Sequence, residues 1–203
     1  MVTPRALHLA QSRLRIAQKA VADIAASGTF EEVADHWLVF LTAWKGVYTV
    51  LEQGSKVTPQ ARQWFGMKKA ERRSTPLLQF LFHARNAAEH GLGETVLHHN
   101  FSQMFAVPEE LQGKKIRMVT DPVSGRFTPE DLNGNRLSLV SEEMIFGSLA
   151  PVYDDRGKKW YGAPSQHRGT PINGASPIAV ATAGLYEIRL IVDEAAALQT
   201  TSP

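Results

Sequence analysis

The chain has 203 residues, of which 43% are hydrophobic and 21% charged, with a formal net charge of +2 and no cysteine. That length suits one domain, or one domain with a sizeable insertion; the ordinary composition excludes wholesale disorder, and the missing thiol excludes a disulfide framework, a cysteine nucleophile and a cysteine-ligated zinc. No run of about 18 apolar residues marks a membrane span or a signal sequence, so a cytoplasmic location with no membrane partner is expected.

Leu7, Ala10, Leu14, Ala17, Val21 and Ile24 recur at alternating steps of three and four, which predicts a first helix over residues 4–26, ended by Gly28. Residues 31–53 form a second predicted helix, its apolar stripe running from Val33 through Trp37, Trp44 and Tyr48 to Leu51. The short link between them implies an antiparallel hairpin. Residues 58–73 read as a shorter, basic helix carrying Trp64 and Phe65 beside Lys68, Lys69, Arg72 and Arg73. Ser74-Thr75-Pro76 then supply a polar cap and a proline at the first helical position for a helix that runs to His90 and stops at Gly91. A further short helix is expected within 92–105.

From residue 114 to 163 the texture changes to short apolar runs between turn pairs. Strands are predicted at 115–120, 136–140, 149–153 and 159–163, with Asp154-Asp155-Arg156-Gly157 as a hairpin turn. Residues 164–175 read as a loop. Ser176-Pro177 open a final helix whose stripe of Ile178, Ala181, Leu185, Ile188, Val192 and Ala195 needs an apolar partner, most simply the first two helices. The expected fold is therefore mainly α: a helical bundle over 1–105, a small antiparallel β-rich insertion over 106–175, and a C-terminal helix over 176–203 that returns to the bundle. Charge is split between the halves. Residues 1–90 hold twelve Lys and Arg against seven Asp and Glu, and residues 91–203 hold ten against thirteen, so the helical half is the expected face for phosphate.

The fourth helix ends Phe82-His83-Ala84-Arg85-Asn86-Ala87-Ala88-Glu89-His90-Gly91. A loose Arg-x4-6-His spacing arises about once by chance in a chain of this composition, whereas the form with Asn directly after Arg and His at one fixed position is expected about 0.01 times. This Arg-Asn-x-x-x-His pattern resembles the motif of the HEPN superfamily. The run from Gln63-Trp64-Phe65-Gly66 to Gly91 also resembles a group of uncharacterised bacterial proteins with an Ala-Arg-Asn-x-x-Glu-His-Gly signature. The HEPN resemblance implies a helical bundle, often a homodimer, that in many members is a metal-independent ribonuclease of toxin–antitoxin or other defence systems. It implies Arg85 on the phosphate and His90 in proton transfer, with Asn86 and Glu89 beside them. It further implies RNA as substrate, an antitoxin or other protein as partner, and no cofactor. Two features depart from toxin-type members: Gly91-Leu92 follows His90 where several carry x-Tyr, and the β-rich segment has no counterpart in a minimal HEPN bundle.

These residue types suit the chemistry. Cleaving RNA through its own 2′-hydroxyl needs a base, an acid and a cation near the phosphorane. Arginine supplies a planar two-bond fork, and histidine titrates near neutrality. A structural reading stands beside this one: Arg85 and Glu89, four apart, can pair along the helix, while Asn86 and His90 can cap its end. The alternative function is then a non-catalytic binding module on the same bundle. Lys68, Lys69, Arg72 and Arg73 with Trp64 form either an RNA-binding patch or a solvated helix face. His83, His90, His98 and His99 match no strong metal-ligand spacing, so no metal is expected. Tyr153, Trp160, Tyr161 and His167 around the hairpin either recognise a partner or pack the sheet.

Overall fold

Hydroxyl caps and prolines decide where the helices begin. Thr3 caps α1 (Pro4–Ala26) by accepting the Ala6 amide at 3.3 Å, and Thr29 forms a reciprocal box with Glu32 at the start of α2 (Phe30–Gly54). A 3-10 turn, Ser55–Val57, leads to Thr58, which caps α3 (Pro59–Ser74). Only Thr75, in extended conformation, separates α3 from α4 (Pro76–Glu89). Ser176 receives the Ala179 amide at the start of α5 (Pro177–Thr200). The computed structural model describes residues 2–89, 95–98, 103–106, 113, 115–120, 127–137, 140–143, 147–174 and 176–200.

Between α4 and α5 the described residues form only short strands: β1 (Val96–His98), β2 (Gln103–Ala106), β3 (Arg117–Thr120), β4 (Phe127–Glu130), β5 (Val140–Glu143), β6 (Gly147–Leu149), β7 (Val152–Asp154), β8 (Lys159–Tyr161), β9 (Gln166–His167) and β10 (Thr170–Pro171). They pair antiparallel in twos, β1 with β6, β2 with β5, β3 with β4, β7 with β8 and β9 with β10. The protein is thus mainly helical, with small antiparallel strand pairs before its last helix. It divides into two compact units, one of Met1–His98 with Gly147–Pro203 and the other of His99–Phe146.

In the first unit α5 packs on α1 and α2, and α4 packs on α2 and α3. Trp37, Phe40, Trp44 and Leu51 of α2 meet Leu81 of α4 and Ile188 of α5 in a fully buried core. Side chains of this size each stabilise the fold by about 1.5–3 kcal/mol when taken out of water. Gly184 lets α5 come close: a Cβ there would lie 2.5 Å from Leu81 Cδ1. At the far end of α5, Gln199 Nε2 donates to the Val2 carbonyl at 3.0 Å and ties the helix to the start of α1. β6 touches α2 and α5, while β7 and β8 lie on α4.

The second unit holds the β2–β5 pair, in register from Gln103↔Glu143 to Ala106↔Val140, and the β3–β4 hairpin. Beyond β4 the Asp131 carboxylate accepts the Asn133 and Asn135 amides, both at 2.8 Å, and Gly134 takes the positive φ that this tight reversal needs.

Three expectations are corrected. The short helix expected within 92–105 is not formed by its described residues: Val96 is buried opposite Leu149, and β1 and β2 satisfy their backbones by pairing with β6 and β5. The single strand expected at 149–153 is broken into β6 and β7 at Ala150-Pro151, because proline has no N–H for the ladder. The strand expected at 136–140 is a lone bridge from Arg136 to Glu130 followed by β5 from Val140, with residues 138 and 139 outside the described set.

Candidate functional site

One face of α4 lines a cleft of about 700 Å³ together with Lys45 of α2 and the β7–β8 hairpin. Strand alternation explains how the hairpin docks there. Val152 is buried, and Tyr161 lays its ring on His83, with centroids 3.9 Å apart and planes 10° from parallel. Asp154 Oδ2 stands 3.9 Å from His83 Nδ1. Burial lowers the His83 pKa, Asp154 works against that shift, and Lys159 adds to it.

Arg85 reaches this cleft with its side chain 17% exposed and its guanidinium paired to Glu89 one turn along. Its Nε is buried and has no hydrogen-bond partner among the described residues. Such orphaned buried donors are rare, because each forfeits its hydration. Burial lowers the Arg85 pKa, yet a guanidinium stays charged at any physiological pH.

Asn86 Oδ1 accepts from Lys45 Nζ at 2.9 Å. Lys45 also lies 5.2 Å from the centre of the Phe82 ring, and Arg72 lies 4.6 Å from it. Burial, then Arg85, then Arg72 lower the Lys45 pKa. Glu89 answers the charge of Arg85, whereas Lys45 is held, among the described residues, by a neutral amide and an aromatic face. A second, mostly apolar groove of about 570 Å³ between α1 and α2 shares Lys45 and Arg85 with the cleft. Three acids, Glu89, Asp154 and Asp155, line the cleft beside Lys45, Arg85 and Arg156, and the repulsion from Arg85 and Arg72 that lowers the Lys45 pKa is of the kind a bound anion would relieve.

Arg85, Asn86 and Glu89 share the cleft; His90 lies outside the described residues. The basic residues of α3 are mostly tied to the chain itself. Lys68 Nζ meets Glu194 at 2.7 Å, Lys69 meets Glu52 at 2.6 Å, and Arg72 lies over Tyr48 and Phe82, leaving Arg62 and Arg73 exposed. Trp64 is buried and donates its Nε1 hydrogen to Glu194 at 3.0 Å. Among the described residues no three His, Asp or Glu side chains come together as a metal site, and no helix is long and apolar enough to cross a membrane.

Three contributors escaped the sequence reading. Lys45 has a faint signal: it stands four residues after Leu41 and three before Tyr48, on the buried side of α2, where a lysine is out of place. His83 gives none, since its partners come from a hairpin some 70 residues away. Glu187 interrupts the apolar stripe of α5 between Gly184 and Ile191. It is 4% exposed and accepts from His167 Nε2 at 2.8 Å and from Arg168 Nε and Nη2 at 2.8 and 3.0 Å. Arg168 also bonds Glu71 at 2.9 Å, so this cluster locks the β9–β10 turn onto α5 and α3.

Comparison with protein-family models, with curated proteins and with solved structures finds no match to this chain.

Proposed function

We propose that this protein is a HEPN-like, metal-independent endoribonuclease of the toxin or defence type, acting at the α4 cleft. The observation that carries the reading is the pair of cations Arg85 and Lys45 lining one cleft, where Lys45 is held, among the described residues, by a neutral amide and an aromatic ring. Arg85 holds a non-bridging oxygen of the scissile phosphate, and Lys45 adds a second positive charge where the phosphorane gathers negative charge. The RNA 2′-hydroxyl gives up its proton, its oxygen attacks phosphorus, and the bond from phosphorus to the 5′-oxygen breaks. His90 transfers protons in this exchange, and the products are a 2′,3′-cyclic phosphate and a 5′-hydroxyl. A homodimer that sets two copies of the motif at one cleft belongs to the same proposal.

A second reading, a non-catalytic module that binds RNA or a protein, is favoured by the Arg85–Glu89 ion pair, which holds the guanidinium on its own helix. Incubation of the purified protein with total RNA in EDTA separates the two. Cleavage should persist without metal, fall about 10²–10⁴-fold in the His90→Ala protein, and fail in Arg85→Lys, whose ammonium keeps the charge but not the two-bond fork. Neither variant should lower the melting temperature appreciably. Intact RNA with the natural protein, together with lowered melting in both variants, would make these residues structural.

A further inference from the structure

The β7–β8 hairpin turns one face to α4 and the other to water. Tyr153 and Trp160 stand directly opposite each other on its outer face, rings 5.0 Å apart and tilted by 45°. They bury little: Tyr153 is 39% and Trp160 65% exposed, whereas Trp37, Trp44 and Trp64 are exposed by 1%, 0% and 7%. Sheet packing therefore does not account for this pair, since the inner-face residues Val152 and Tyr161 already make the contact with the helix. Tyr153 also lines the cleft that holds Arg85 and Lys45, so one member of the aromatic pair borders the cationic site. The nearby acids are engaged: Asp154 faces His83 and accepts the Arg156 amide at 3.2 Å, and Asp155 meets Lys158 at 3.6 Å. Arg156 is exposed and lines the same cleft, while Lys159 lies over the inner-face ring of Tyr161 at 5.1 Å.

We infer that the outer face of this hairpin stacks an unpaired nucleobase of single-stranded RNA whose neighbouring phosphate lies in the α4 cleft. The inference rests on the phosphate-binding role proposed for Arg85, and it names the form of the substrate. The occupant has to offer a flat π face to Tyr153 and Trp160 and a negative charge to Lys45 and Arg85. A single strand does both, for any base, because every base has a π face and every linkage an anion. A duplex does not, since its bases already stack on one another. A peptide would need an aromatic or proline residue beside an acidic one, and it is the competing outcome of the test.

Because the other three tryptophans are buried, the red-shifted and acrylamide-quenchable emission of the protein reports Trp160. The probe is an eight-nucleotide 2′-O-methyl RNA, which cannot be cleaved through its blocked 2′-oxygen, added in EDTA. Its controls are an abasic sugar-phosphate strand of equal length, the same sequence as a duplex, and an acidic, proline-rich peptide. The base-bearing single strand should shield Trp160 from acrylamide while the abasic strand and the duplex do not. Trp160→Ala should weaken its binding by roughly 5- to 150-fold, and Trp160→Phe should restore most of the affinity, which a loss of charge or fold would not allow. Equal shielding by the abasic strand, unchanged binding by Trp160→Ala, or shielding by the peptide alone overturns the inference. Shielding by the single strand in a protein that leaves total RNA intact supports the stacking platform and overturns the nuclease reading. Cleavage of total RNA without shielding does the reverse.

Discussion

Glu187 is a carboxylate inside the bundle, and its pKa shows what keeps it there. Burial alone would raise that pKa, but hydrogen bonds from Arg168 and then His167, with the charges of both, hold it below the ordinary value of 4.5. A carboxylate whose folded pKa is depressed contributes stability above its unfolded pKa and loses that contribution as pH falls through the folded one. His83 acts in the same direction higher up the scale. Burial depresses its pKa below 6.5, so the folded state resists the proton that the unfolded chain accepts. Unfolding free energy should therefore be level near neutrality, decline below about pH 6.5 as His83 is asked to charge, and decline again below about pH 4.5 as Glu187 is neutralised. Glu187→Gln should remove the lower step and cost about 1–3 kcal/mol near neutrality, because it leaves His167 and Arg168 poorly answered. Urea titrations across pH 4–8 check this; identical pH profiles for the two proteins would refute it.

Among the helices, the α1–α2 hairpin depends on a close approach at its open end. A Cβ built on Gly54 would lie 2.2 Å from Ala6 Cβ and 3.0 Å from Val2 Cγ1, and the Gly54 carbonyl accepts the Thr3 amide at 3.1 Å. Ala6 Cβ is fixed to the backbone of α1 and cannot rotate away. Helix propensity alone would make Gly54→Ala stabilising by about 1 kcal/mol. The clash should win, since overpacking of a tight contact costs about 1–3 kcal/mol, and the helices must separate to admit the methyl group. The expected net result is a melting temperature lower by about 2–8 °C. An equal or higher value in a thermal melt followed by circular dichroism would show that the helices do not meet as closely as described.

At the scale of the whole chain, the second unit interrupts the first between β1 and β6. In that ladder His98 stands directly opposite Gly147, so the first unit leaves and resumes at two positions joined across one antiparallel pair. Such a pair can be closed by a two-residue Asn-Gly turn. Replacing residues 99–146 with that dipeptide should leave a protein that melts cooperatively and keeps its helical signal, because the core of Trp37, Trp44, Leu81 and Ile188 lies within the first unit. A product without helical signal would mean that the first unit does not fold by itself. The same shortened protein retains Arg85, Lys45 and the β7–β8 hairpin, so RNA cleavage by it would assign the activity to the helical unit alone.

The features legible in the sequence are those set within one or two helical turns. Thr3, Thr29 and Thr58 mark helix starts because a hydroxyl reaches an amide three residues ahead, and the buried faces of α1, α2 and α5 follow from apolar residues three and four apart. Arg85, Asn86 and Glu89 share a helix end for the same local reason. The strands of 95–171 were less legible, since runs of two to four residues contain no period that separates strand from helix, and their pairing joins positions such as Val96 and Leu149 that are far apart in the chain. Only the tertiary structure decided that Arg85 shares its cleft with Lys45, that His83 lies against Tyr161, and that Lys68 and Lys69 are spent on Glu194 and Glu52 while Trp160 is left to solvent. The contacts among these join residues at least 17 positions apart, and spacing along a chain carries no information about which distant side chains the packing of helices will bring together.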